Sequence, residues 1–139
     1  MAVPRRRVVI ESPFAARPDW SVESNIDYAR QCMRNSILRG EAPIASHLLY
    51  TQPGILDDNI PEERALGIEC GLIWAQVGSF SVFYTDHGWS SGMLLALHNH
   101  NLRRNYPFRI RSLEGKSHVR LPTTLDEDIE NLLRAFIED

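Results

Sequence analysis

An α/β fold built on a mainly parallel sheet is what this 139-residue sequence predicts, and three observations carry that prediction. Short β-branched runs alternate with stretches of helical periodicity, an order that joins parallel strands through crossover helices. The runs are apolar on consecutive residues, as in Val8-Val9-Ile10 and Val82-Phe83-Tyr84, which marks strands covered on both faces. At the C-terminus, Leu125, Ile129, Leu132, Leu133, Phe136 and Ile137 recur at i, i+4, i+7, i+8, i+11 and i+12, one apolar face of an amphipathic helix. Four to five strands with helices on both sides follow, in a single domain over residues 1–139.

Each element has its own local reason. Residues 7–11 form a first strand that ends at Ser12-Pro13-Phe14. A helix capped near Ser24-Asn25 follows, with Ile26, Ala29, Met33 and Ile37 on one face and Gly40 as its stop. Pro43 to Tyr50 reads as a second strand interrupted by Ser46-His47, and residues 51–60 as a long turn-rich loop. Pro61 opens a second helix with Glu62 and Glu63 in its first turn, where carboxylates suit the positive end of the dipole. Gly78 ends it, and Phe80 to Thr85 is the strongest strand of all. The loop from Asp86 to Gly92 leads into a helix from Met93 to about Arg104, and Phe108 to Leu113 is the fourth strand. Thr124 with Glu127 makes a capping box for the last helix.

Composition removes several function classes. The chain has 15 Lys+Arg against 18 Asp+Glu, so it is not built to neutralise a duplex, and no nucleic-acid duplex partner is expected. Its apolar runs are far below the roughly 20 residues that span a bilayer, and the stretch after Arg5-Arg6-Arg7 stops at Glu11, too short for a signal peptide. No membrane association and a cytoplasmic location are therefore expected. Cys32 and Cys70 stand alone as reduced apolar residues, outside any zinc spacing. His98 and His100 lie about 200° apart around a helix, so no metal and no cofactor is expected.

In such a fold, ligands sit beyond the carboxyl ends of the strands. That rule selects Glu11, Ser12, Pro13 and Phe14 after the first strand, His47 to Thr51 with Tyr50 after the second, Asp86 to Gly92 after the third, and Arg111 with Ser112 at the fourth. Glu11 and Ser12 offer a carboxylate and a hydroxyl to a ribose or phosphate, and Phe14 offers a stacking face; the bland alternative is a turn with a hydrophobic plug. Gly88, Ser90, Ser91 and Gly92 lead into a helix N-terminus, whose free N–H groups suit an anion or sugar hydroxyls, with Trp89 placed to stack on a base. The competing role for Asp86 and Ser91 is to cap that helix. Neither a dinucleotide fingerprint nor a P-loop is present.

Val8-Val9-Ile10-Glu11-Ser12-Pro13-Phe14, then Asn25 with Tyr28-Ala29-Arg30, then Thr85-Asp86-x-Gly88-x-Ser90-x-Gly92, resemble the nucleoside 2-deoxyribosyltransferase-like superfamily. The likeness is nearest to small uncharacterised phage and bacterial domains of that group. It rests on Gly40-Glu41-Ala42-Pro43, Ser46-His47-Leu48-Leu49-Tyr50-Thr51-Gln52 and Pro61 to Ile68, and covers about residues 7–113. The resemblance implies a flavodoxin- or Rossmann-like three-layer sandwich, a homo-oligomer, and a nucleoside or nucleotide as the small-molecule ligand. It also implies chemistry at the N-glycosidic bond, in which a carboxylate attacks the anomeric carbon and the base departs. Asp86 falls at the superfamily's loop Asp, and Ser91-Gly92 at its Ser-Gly pair. The superfamily's nucleophilic Glu lies four residues past that Gly, where this chain has Ala96 among Leu94, Leu95 and Leu97.

Two functional readings result. One is an N-glycosidase or deoxyribosyltransferase-like enzyme, with Asp86 and Glu11 as its carboxylates and Trp89 and Phe14 packing the base. The other is a non-catalytic protein that sequesters a nucleotide or an NAD-derived signal, as phage proteins do when countering host defence; Ala96 favours it unless another acid takes the missing role. A plain interaction module is disfavoured by the polar strand ends.

Overall fold

The computed structural model describes residues 4–102, 107–123 and 127–138. Four parallel strands form one sheet in the order β2-β1-β3-β4: β1 (Arg7–Glu11), β2 (Ala42–Ile44), β3 (Phe80–Tyr84) and β4 (Phe108–Arg111). Helices α1 (Val22–Leu38), α2 (Ser46–Leu49), α3 (Pro61–Val77), α4 (Ser91–Leu102) and α5 (Glu127–Arg134) connect or follow them. The expected flavodoxin- or Rossmann-like α/β architecture is what forms. At the sheet's outer edge Ile110 and Ile137 make one further parallel bridge beside β4.

Strand side chains alternate across the sheet, and this alternation builds two cores. Val8 and Ile10 of β1, with Phe80, Val82 and Tyr84 of β3, pack against Tyr28 and Cys32 of α1. On the other face, Phe83, Phe108 and Ile110 pack against Met93, Ala96 and Leu97 of α4 and Leu133 of α5. Phe83 meets Phe108 edge-on at 5.8 Å between ring centroids, a favoured aromatic geometry.

Polar anchors shift several elements from their expected places. Helix α1 begins after Ser21, whose side chain accepts from the Ser24 N–H, so Asn25 lies inside the helix rather than at its cap. Its buried face is Asn25, Tyr28, Ala29, Cys32 and Ser36; of the expected face, Ala29 is buried and Met33 packs against the core, while Ile26 is half-buried and Ile37 exposed. Asn25, Tyr28 and Ser36 each have a hydrogen-bond partner inside, which lets polar residues take the inward positions. The expected second strand over 43–50 is cut to three residues at the sheet edge, because Ser46–Leu49 winds into α2 with the Tyr50 N–H on the Ser46 carbonyl. Helix α4 starts at Ser91, two residues early. Helix α5 ends at Arg134, and Phe136 and Ile137 reach the core by pairing with β4. The expected capping Thr124 and apolar Leu125 lie outside the described residues.

Arg111 ties this frame together from inside. Its guanidinium is 1 % exposed and donates to both Glu41 oxygens (3.0 and 2.9 Å), to Glu138 (3.0 Å from Nε) and to the Tyr84 hydroxyl (2.9 Å). Arg109 takes the other oxygen of Glu138 at 3.1 Å. Desolvation opposes the charge on Arg111, but those acceptors outweigh it and raise its pKa. Of the two lone cysteines, Cys32 is buried and Cys70 exposed; both are free thiols. No helix among the described residues is long and apolar enough to cross a membrane.

Removing one member of a buried ion network leaves its partners charged and unpaired, which costs about 3–5 kcal/mol. Arg111→Ala is expected to lower the unfolding free energy by that order in urea titrations, whereas Arg134→Ala, in an exposed i,i+4 pair with Glu130, is expected to change it by under about 1 kcal/mol.

Candidate functional site

The strand order reverses direction between β1 and β3, because the chain leaves β1 toward β2 and returns across it to β3. Connections diverge at such a switch point and leave a crevice at the carboxyl ends. A cavity of about 360 Å³ lies there. Its walls are Glu11, Ser12, Phe14 and Arg17 from β1 and the segment after it, Ser46, His47 and Tyr50 from α2 and its end, Arg64, Gly67, Ile68 and Gly71 from α3, and Ser90, Ser91, Gly92 and Ala96 from α4 and the loop before it.

Alternation along β1 sends Val8 and Ile10 toward α1, which leaves Val9 and Glu11 on the α3–α4 side. Glu11 is half-buried and meets no cation and no hydrogen-bond donor among the described residues. Desolvation alone therefore acts on it and raises its pKa from 4.5 to about 7. Ser12 is buried, and its hydroxyl lies 2.8 Å from Nε2 of His47. Burial lowers the His47 pKa to about 4, so the imidazole is neutral at physiological pH. Helix α2 is seated closely: a Cβ on Gly71 of α3 would lie 2.6 Å from the Ser46 hydroxyl, so only glycine lets α2 approach this near.

Two arginines bring positive charge to the wall. Arg64 pairs with Asp58 at 3.0 Å and reaches Ser91 at 3.5 Å, bridging the 51–60 loop to the start of α4. Arg17 donates to the His87 carbonyl at 2.6 Å. At the head of α4 the Met93 N–H is taken by the Ser90 hydroxyl at 3.2 Å and the Leu94 N–H by the Ser90 carbonyl at 3.0 Å. The N–H groups of Ser91 and Gly92 have no acceptor among the described residues, as the first turn of a helix leaves them. Among the described residues no three His, Cys, Asp or Glu side chains gather as metal ligands would.

Of the residues singled out in the sequence, Glu11, Ser12, Phe14, His47, Tyr50, Ser90, Ser91 and Gly92 are brought into this one cavity. The others are placed elsewhere. Asp86 accepts from Tyr28 and Ser112 (2.5 Å from Ser112) and from the Leu113 N–H (3.0 Å), joining the end of β3 to α1 and to the segment after β4. Desolvation raises its pKa, but those donors outweigh it and keep the carboxylate ionised. Asn25 is fully buried and donates to the Phe14 and Ala15 carbonyls at 3.1 Å, so it shapes the loop that lines the cavity without reaching it. Trp89 turns the other way, stacks on Phe83 at 5.2 Å and donates to the Arg120 carbonyl at 2.9 Å, which makes it core cover rather than a base platform. Pro13 is buried outside the cavity wall. Gly88 supplies the positive φ (76°) of the turn between Thr85 and Trp89. His47 sits on α2 rather than inside a strand.

Sequence reasoning missed Arg17, Arg64, Ser46 and Gly71. Arg17, Arg64 and Gly71 lie away from the strand ends, so the rule that found the rest passed over them, and Ser46, two residues past β2, was read as part of a longer strand; Arg64, one helical turn inside Pro61-Glu62-Glu63-Arg64, was the most legible. Of the other tryptophans, Trp20 stacks on His87 at 3.6 Å, while Trp74 is 44 % exposed and donates to the Tyr50 hydroxyl at 2.7 Å.

Such a set, with an unpaired carboxyl, a Ser–His contact, an arginine and a helix start around an apolar crevice, is that of a small-molecule pocket. Residues 6–111 match the model of a family described as a domain of unknown function (DUF7768), and the chain belongs to that family. Among solved structures it is similar to the 2-deoxyribosyltransferase from the psychrotolerant bacterium Bacillus psychrosaccharolyticus. The two share 13 % identity over 96 % of this chain and 86 % of that one, with a TM-score of 0.56, and the likeness is one of fold. No curated protein sequence matches the chain.

Glu11 and His47, both shifted by desolvation, give opposite pH signatures. For Glu11 the folded pKa of about 7 lies above the ordinary 4.5 of a free glutamate, so its contribution to stability is full below 4.5 and is lost as pH rises through 7. For His47 the folded pKa of about 4 lies below 6.5, so its contribution is full above 6.5 and is lost as pH falls toward 4. Between pH 6.5 and 8 only the Glu11 effect remains. Urea midpoints are expected to fall over that interval in the unaltered protein and to stay level in Glu11→Gln.

Proposed function

We propose that this chain binds a nucleoside or nucleotide in the β1–β3 crevice and holds it without forming a glycosyl–enzyme ester. One observation carries the choice of binding over transfer: Ala96 lines the cavity at the position where the resembled superfamily has its nucleophilic Glu, and a methyl group cannot form the ester. The fold shared with a 2-deoxyribosyltransferase supports the ligand class. Arg64 and the open N–H groups at the start of α4 suit a phosphate or sugar hydroxyls, Glu11 suits a ligand donor, and Phe14 offers an apolar wall to the base. Asp86, held by Tyr28, Ser112 and Leu113, keeps the strand ends in register beside the pocket. Free thiols at Cys32 and Cys70 agree with a reducing, cytoplasmic setting.

A second reading, cleavage of the N-glycosidic bond, is supported by Glu11 alone. It is unpartnered, it faces the cavity, and a carboxyl with a pKa of about 7 can give and take a proton at neutral pH. Calorimetric titration with nucleosides, nucleoside monophosphates and NAD-derived nucleotides, followed by chromatography of the mixtures, separates the two. Capture predicts saturable binding, ligand recovered intact, and binding weakened at least tenfold in Arg64→Ala for a phosphorylated ligand. Free base that disappears in Glu11→Gln establishes cleavage instead, and no uptake of any of these compounds overturns both readings.

Self-association belongs to the same proposal. Leu66, Ile73, Trp74 and Val77 leave an exposed apolar stripe along α3, on the side away from the sheet. Light scattering is expected to give a mass of at least two 15.9 kDa chains, reduced to one in Ile73→Lys.

A further inference from the structure

The Ser12–His47 contact is unexplained by nucleotide binding. Both side chains face the same cavity, and the Ser12 hydroxyl is 2.8 Å from Nε2 of His47. That separation is the reach of a nucleophile from its base. No other partner competes for either side chain among the described residues: Ser12 has no second hydrogen bond, and Nδ1 of His47 has none. The pair forms part of the cavity wall. The backbone under it is fixed, since the Thr51 hydroxyl donates to the His47 carbonyl and Gly71 admits α2 against α3. Burial keeps His47 neutral, with a ring nitrogen able to accept, and also makes it a weaker base than an exposed imidazole, so the case for it rests on its 2.8 Å contact with Ser12.

We propose that Ser12, with His47 as its general base, is a nucleophile that opens small carboxylic esters in this cavity. The Ser12 hydroxyl proton passes to Nε2 of His47 as Oγ bonds to the ester carbonyl carbon. The carbonyl π electrons move to oxygen, and the N–H groups of Ser91 and Gly92, open in the same cavity, are the donors available to that oxyanion. When the carbonyl re-forms, the ester C–O bond breaks and His47 returns the proton to the departing alkoxide, which leaves as the alcohol. Water then attacks the acyl-Ser12 carbonyl and gives its proton to His47. The acid departs, and Ser12 regains its proton. Ester and water become acid and alcohol, with no oxidant or metal required. The same wall carries the acids Glu11, Asp58 and Glu63 and the cations Arg17 and Arg64, and the arginines favour esters that carry an anionic group.

This inference stands apart from the nucleotide reading, because its probe carries neither base nor sugar. The full chain is treated with a biotinylated fluorophosphonate, and the modified peptide is identified by mass spectrometry. Modification is expected on Ser12, absent in Ser12→Ala, and slowed at least 100-fold in His47→Gln, the lower end of what a positioned general base contributes. No modification, modification at another residue, or an unchanged rate in a folded His47→Gln overturns the proposal. Should His47→Gln fail to fold, the unaltered protein decides with p-nitrophenyl acetate. A burst of about one p-nitrophenol per chain supports the acyl-Ser12 step, and its absence sinks it.

Discussion

The Asp86 carboxylate holds together the pieces that would otherwise separate at the open end of the sheet. It takes the Ser112 hydroxyl and the Leu113 N–H from the segment after β4 and the Tyr28 hydroxyl from α1, while itself ending β3. Parallel strands have no hairpin to keep their carboxyl ends level, so some group has to span them. A carboxylate accepting several donors does this well, since ionised acceptors make the stronger hydrogen bonds. With β3, β4 and α1 pinned, the chain beyond Asp86 has a fixed origin from which Ser90, Ser91 and Gly92 reach the cavity. The Tyr28 ring also stacks on His87, which Trp20 covers from the other side, so the same turn is gripped by aromatic packing.

Arg111 does the corresponding work deeper in the sheet. It brings Glu41, at the entry to β2, and Glu138, near the C-terminus, to one buried guanidinium. Burying a charge is costly unless it is fully met, and here it is met by two carboxylates and a phenol. Glu11 is the contrast. It is the last residue of a core strand and has no such partners, and its carboxyl is thermodynamically uneasy when ionised. Glu41, Asp86 and Glu138 are each met by several donors; of the acids lining the cavity, Asp58 and Glu63 accept from Arg64 and from the Asp57 N–H, whereas Glu11 has no donor among the described residues.

That contrast explains how much of the site was legible in the sequence. The rule that ligands gather beyond strand ends picked out Glu11, Ser12, Phe14, Ser90, Ser91 and Gly92, and the structure brings them to one crevice. It also picked out Asp86 and Trp89, which sit in equally suitable loops but point away, Asp86 into a latch and Trp89 onto Phe83. A loop sequence does not record which way a side chain turns, because the turn depends on donors and rings supplied by residues distant in the chain. Arg17 and Arg64 were passed over for the complementary reason: they come from a loop and from the start of a helix, which only the folded chain carries to the strand ends.

By itself the sequence determined the parallel α/β order, the two-sided burial of β1 and β3 and the presence of a polar end, because these follow from local periodicity and residue type. It misjudged the inward face of α1 and the length of β2. Polar residues such as Asn25, Tyr28 and Ser36 look solvent-facing until their partners Phe14, Asp86 and Glu41 are in place, and Ser46–Leu49 looks extended until α3 presents Gly71 to receive it. Only the tertiary structure decided which acid is free and that Ser12 meets His47, because each depends on contacts between segments far apart along the chain.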